Sequence, residues 1–131
     1  MKYPDIFNGT INMMVIITIS LLSTLQTQTD VEELIQGTWV SEESSFQDRT
    51  VFKEDFTVES YIDNELYKTY TWSIEEGQTP SGLIEHSLTL ININDSGDAY
   101  HYLIDTLTEE RMVLEYMDPV GRISRTAYAR Q

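Results

Sequence analysis

No cysteine occurs in the 131 residues. Its absence excludes disulfides, thiolate metal sites, thiol nucleophiles and a lipid-modified cysteine, and leaves stability to packing alone. Positive charge is scarce as well: 8 Lys and Arg stand against 22 Asp and Glu, for a formal net charge of −14. A field of that sign repels phosphate backbones and offers no basic stripe to nucleic acid or anionic lipid, so neither is an expected partner. The acidity reads as a solubility device. Catalytic motifs are missing too. No HExxH, Gly-x-Ser-x-Gly or phosphate loop occurs, and the histidines, His86 and His101, fall in separate segments without neighbouring ligands. Asn92-x-Asn94-x-Ser96-Gly97 has the start of a calcium loop, but Leu103 stands where a bidentate Glu is required, so the stretch reads as a hairpin. No catalytic residue, metal site or cofactor is expected, and the chain does not read as an enzyme.

Long hydrophobic runs are confined to one place, residues 11–25. About 13 to 15 apolar-dominated residues are too few for a spanning helix of roughly 20, but suit the core of a secretory signal. Lys2 and Asp5 precede the run, no Ala-x-Ala follows it, and cleavage is expected between Leu25 and Asp30, with Thr27 and Thr29 as the small residues. An uncleaved membrane anchor and a helix belonging to the fold are the alternatives. The expected organisation is a signal peptide or N-terminal apolar segment over 1–29 and one domain over 30–131. The localisation that follows is periplasmic or secreted, with no membrane insertion once the signal is removed.

From Asp30 the pattern changes. Asp30-Val-Glu-Glu33 has the form of a capping box, and Val31, Leu34 and Ile35 give an apolar face to a brief helix ended by Gly37. Segments at about 37–41, 47–53, 56–62, 65–74, 86–93, 98–106, 111–117 and 122–129 are then rich in Val, Ile, Thr, Tyr, Phe and Trp. Tyr70, Trp72 and Ile74 alternate with Thr69, Thr71 and Ser73, and Leu88 and Leu90 with Ser87 and Thr89. Tyr100, Tyr102 and Ile104 oppose His101 and Asp105, and Met112, Leu114 and Tyr116 oppose Arg111 and Glu115, so one side of each strand faces inward. Asp63-Asn64, Asn94 to Gly97 and Asp118-Pro-Val-Gly121 have the composition of tight turns. The longest connection, Glu75 to Glu85, is expected as a mobile loop, with Glu42 to Phe46 next.

Connections this short do not carry parallel crossovers, so neighbouring strands pair antiparallel in chain order. An eight-stranded meander without covering helices closes to remove its edges. The predicted fold is all-β: a single eight-stranded antiparallel up-and-down β-barrel with a short N-terminal helix.

Gly37-Thr38-Trp39, on the first strand directly after a short helix, resembles the Gly-x-Trp opening of the lipocalin superfamily. Over residues 34 to 130 the chain is similar to the small lipocalin-like domain proteins exported by Gram-negative bacteria. Further echoes are Thr50-Val-Phe52 with Asp55-Phe-Thr57, then Tyr70-Thr-Trp72-Ser-Ile74 and Ile104-Asp-Thr-Leu107-Thr. Phe56 departs from the pattern, standing where such a turn usually carries Gly. The resemblance implies that Trp39 sits at the closed end of the barrel under a basic side chain from the last strand, held by cation–π attraction. Arg125 or Arg130 would serve, and Arg125 is assigned with Gly37 and Trp39 to barrel closure.

The interior of an eight-stranded barrel is either filled by side chains or holds one small ligand. The inward-facing candidates for ligand contact are Phe52, Val58, Tyr70, Trp72, Leu88, Leu90, Tyr102, Ile104, Leu114 and Tyr116. Buried tyrosine hydroxyls want partners that a ligand can supply. An inward arginine among Arg111, Arg122, Arg125 and Arg130 would meet an acidic head group. The function expected is an exported binding protein carrying a small, mostly hydrophobic ligand. The alternative is a non-enzymatic cell-envelope module with a filled barrel, whose acidic loops, chiefly 75–85, meet a protein partner.

Overall fold

The computed structural model describes residues 27–43 and 48–131. The signal-like run at 11–25 and residues 44–46 of the 42–46 connection lie outside the described residues. Helix α1 (Gln28–Ile35) is followed by strands β1 (Gly37–Ser41), β2 (Arg49–Phe52), β3 (Thr57–Ile62), β4 (Glu65–Gln78), β5 (Ile84–Asn92), β6 (Asp95–Leu107), β7 (Arg111–Met117) and β8 (Ile123–Arg130). Each strand pairs antiparallel with the next, and β8 returns to β1 through Trp39↔Arg130 and Ser41↔Tyr128, closing the barrel. Closure leaves the sheet with no free edge.

The turns follow from their residues. Asp63 and Asn64 have φ of 50° and 65°, the paired positive values of a two-residue type I′ hairpin that Asn and Asp tolerate. Asp118 accepts from the amides of Val120 and Arg122 at 3.1 and 2.8 Å, and Gly121 takes φ 85°. Phe56 occupies the left-handed region at φ 63° without being glycine. That conformation costs a bulky residue roughly 1–2 kcal/mol, offset where the Phe56 ring covers Trp72 at a centroid distance of 4.9 Å. Asp55 steadies the same turn by accepting from the Thr57 amide and hydroxyl at 3.0 and 2.6 Å.

Two local expectations are corrected. The helix is capped by Thr27, not Asp30: the Thr27 hydroxyl accepts from the Asp30 amide and the Asp30 carboxylate from the Thr27 amide, both at 3.2 Å. Asp30 is the reciprocal member of the box because Thr27 stands three residues before it. Residues 75–85 are not a loop. β4 and β5 continue through Glu75↔Ser87, Glu76↔His86, Gly77↔Glu85 and Gln78↔Ile84, leaving a turn closed by the Thr79 amide on the Leu83 carbonyl at 2.8 Å. Ladder hydrogen bonds are made by the backbone, so this hairpin extends although its side chains are polar and mostly exposed.

α1 lies against β4 and β6 and plugs one end of the barrel. Its Val31 and Ile35 are buried against Trp39, Ile74, Leu88, Leu107 and Met112. The Trp39 indole donates to the Ile35 carbonyl at 2.7 Å, and the Arg130 guanidinium lies 4.2 Å from the Trp39 ring centroid. Arg130 also donates to the carbonyls of Leu34, Gln36 and Glu109. The helical carbonyl among them belongs to the last turn of α1, where no intrahelical partner exists and the helix dipole is negative. A Cβ at residue 37 would stand 2.6 Å from Arg130 Nη1, and Gly37 has φ 124°. Glycine is therefore required at 37 both for its backbone angle and for the approach of the guanidinium.

Arg125, assigned to this role from the sequence, does not fill it. Its side chain pairs with Asp105 and, at 3.2 Å, with Glu115 directly across on β7. The alternation of β8 puts Arg125 on the outer face, whereas Tyr128 and Arg130 fall on the inner one.

Candidate functional site

Above the packed floor the barrel encloses a cavity of about 300 Å³. Phe52, Val58, Tyr70, Leu90, Tyr102 and Leu114 of the expected ligand contacts line it. The other candidates lie elsewhere. Trp72 and Leu88 are buried in the floor, with the Trp72 indole donating to the Lys53 carbonyl at 3.1 Å. Ile104, paired with Leu114 just before a register shift, lines a separate cleft of about 330 Å³ between α1, the β4–β5 hairpin and β6. Tyr116, directly across from Tyr102 on β7, is not among the lining residues, although its ring lies 6.0 Å from that of Tyr100 and 5.7 Å from that of Tyr102.

Thr50, Ser60, Tyr100, Met112 and Tyr128 line the cavity without having been among the candidates. Tyr100 and Met112 share the inward parity of Tyr102 and Leu114. Thr50 and Ser60 stand two residues from Phe52 and Val58, and a strict period of two reaches them. Their polarity conceals this, since a polar residue on a half-buried strand ordinarily faces water.

The lining is thus hydroxyl-rich. One wall is aromatic, with Tyr100 6.2 Å from both Tyr70 and Tyr102, edge-on to the first and stacked on the second. Burial pushes the Tyr102 and Tyr128 phenols above their ordinary value, Tyr102 strongly. Burial, and after it the negative charge of Asp98, does the same to Tyr70 and Tyr100. The phenols are therefore neutral donors and acceptors throughout the physiological range.

The mouth carries the charges nearest the cavity. Lys68 Nζ lies 2.8 Å from Asp98 Oδ2, and Asn92 donates to the same oxygen at 3.0 Å. The alternation that points Tyr70, Leu90 and Tyr100 inward turns these residues inward too, two positions nearer the mouth. The irregular pairing between Ile91↔Ala99 and Asn92↔Asp95 accommodates the turn that delivers Asp98. The hydrogen bond from Lys68, then that from Asn92, holds the Asp98 carboxyl below the usual carboxylate range, and the bond to Asp98 raises Lys68.

The arginines expected to offer an inward charge are engaged outside the cavity: Arg111 with Glu42, Arg122 with Asp118, Arg125 as above, and Arg130 on the carbonyls of Leu34, Gln36 and Glu109. The hairpins around the mouth bear exposed apolar side chains, Ile62 and Leu66 on one, Ile93 on another, and Met117, Val120 and Ile123 on a third. Among the described residues, no cluster of His, Cys, Asp or Glu is arranged to hold a metal ion, and no helix is long and apolar enough to cross a membrane.

No protein-family model, no curated protein and no solved structure matches this chain.

Proposed function

We propose that the chain is an exported, lipocalin-like, non-enzymatic binding protein that carries one small molecule inside its barrel. The observation that carries this reading is the space itself. A cavity of about 300 Å³ is about twice the 150 Å³ apolar cavity that accepts benzene, and lies at the lower end of the range for ligand pockets. The closed barrel, the plugged end and the Gly37–Trp39–Arg130 arrangement support the likeness to lipocalin-like proteins. The signal-like run at 11–25 supports export.

The test is a titration with 1-aminoanthracene, a neutral probe whose fluorescence rises in apolar surroundings. Wild-type protein gives saturable enhancement at one site, and Thr50→Trp, which places an indole in the space, loses it while keeping the far-ultraviolet spectrum. Equal enhancement in both proteins contradicts the reading.

A second reading, an interaction module for a protein partner, draws support from the exposed apolar side chains of the mouth hairpins. A protein that co-purifies stoichiometrically and is released by Val120→Asp with Ile123→Asp favours that reading over the first.

A further inference from the structure

We infer that the barrel selects a small, flat, uncharged molecule bearing a hydroxyl or carbonyl group, in preference to a bare hydrocarbon or an anion with an acyl chain. This rests on the carrier reading above and narrows it to a ligand class.

Three observations converge. First, the lining mixes hydroxyls with apolar groups: Thr50, Ser60, Tyr70, Tyr102 and Tyr128 among them make no side-chain hydrogen bond to a described residue, and stand beside Phe52, Val58, Leu90, Met112 and Leu114. Hydroxyls that lack a protein partner are served by water in solution. A hydrocarbon would expel the water and leave buried donors and acceptors without partners, which is costly, whereas a ligand with its own polar group replaces the lost bonds. Sites built to hydrogen-bond a ligand hydroxyl discriminate strongly against the analogue that lacks it.

Second, no lysine or arginine is among the described residues that line the cavity. Lys68, the cation at the mouth, is held by Asp98 at 2.8 Å, and the C-terminal arginines are bound to carboxylates or to carbonyls of the plugged end. Seating a carboxylate requires breaking the Lys68–Asp98 pair and entering a chain of formal net charge −14. The tyrosines, kept neutral by burial, donate hydrogen bonds but supply no charge.

Third, shape favours a ring system. The cavity holds roughly a fused pair of rings by comparison with benzene in 150 Å³. The wall formed by Tyr70, Tyr100 and Tyr102 offers ring faces and edges to a planar ligand.

Equilibrium dialysis of the purified protein against 2-naphthol, naphthalene and 2-naphthoate, at neutral pH, tests this with one ring framework. The expected result is that 2-naphthol binds at least tenfold more tightly than either relative. Tyr102→Phe and Tyr128→Phe should each narrow the margin between naphthol and naphthalene without weakening naphthalene, which shows that the variants still fold around the cavity. Naphthalene or naphthoate binding as tightly as naphthol overturns the ligand class and leaves the carrier reading standing. Absence of binding by all three overturns the class as well, and the carrier reading falls with it only when 1-aminoanthracene also fails to bind.

Discussion

Removing Arg130 should be among the most destabilising single changes in this protein, although the residue is the second from the C-terminal end of the described chain. Arg130→Leu removes a guanidinium that lies 4.2 Å from the Trp39 centroid and donates to the carbonyls of Leu34, Gln36 and Glu109. A partly desolvated cation–π contact contributes up to about 2 kcal/mol. Each charge-assisted hydrogen bond adds about 1.5 kcal/mol where water does not replace it. Water will reach some of the freed carbonyls, so a total loss of about 3 kcal/mol is expected. For a domain of about 100 residues that corresponds to a fall in Tm of roughly 12–20 °C.

Arg130→Lys keeps the charge but not the planar fork, and should lose about half as much. Arg125→Leu, which removes only a surface pairing with Asp105 and Glu115, should cost no more than about 1 kcal/mol. Urea unfolding followed by circular dichroism measures all three, and unchanged slopes license the comparison. A cost for Arg125→Leu equal to or above that of Arg130→Leu would refute the assignment of the closing residue.

Other outcomes follow from the same geometry. Gly37→Ala forces a Cβ into the φ 124° conformation and against Arg130 Nη1, and should cost about 1–3 kcal/mol in the same urea assay, with Trp39 emission shifting to the red. Asp55, Asp98 and Asp118 all have carboxyls held below the ordinary range by hydrogen bonds. Their contribution to stability is complete above the unfolded value of about 4 and is lost as pH falls through the lower folded values, so the urea midpoint should drop on acidification and Asp98→Asn should shallow that drop. Lys68, raised by Asp98, acts in the opposite sense: its contribution is complete below about 10.5 and is lost as pH rises through its higher folded value. An acid limb unaltered by Asp98→Asn contradicts the role given to the mouth pair.

Much of the barrel was legible because strand alternation and turn chemistry are local. Asp63-Asn64, Asp118 to Gly121 and the Tyr70, Trp72, Ile74 stripe each specify their own geometry, and short connections then leave only chain-order pairing. At 75–85 the polar composition conceals the strands, because a ladder extending past the core needs no apolar alternation. The choice between Arg125 and Arg130 turns on strand phase. Tyr128 and Arg130 share the inner face of β8, while Arg125, directly across from Glu115, takes the outer one. The cavity itself was only partly legible. Parity alone identifies who faces inward, but how deep each side chain sits depends on the stagger of the barrel and on the irregularities near Ile104 and Asn92. Ile104 lines another cleft, and Asp98 stands at the mouth with Lys68. Thr50 and Ser60 were hidden by their polarity, the same property that gives the interior its character.

The central claim is that a small molecule enters the barrel and sits among these side chains. Methyl-labelled protein titrated with 2-naphthol and followed by intermolecular nuclear Overhauser effects tests it most directly. The account predicts contacts to the methyls of Val58, Leu90, Met112 and Leu114. Contacts confined to Val120 and Ile123 on the outer rim, with the interior methyls silent, would contradict it.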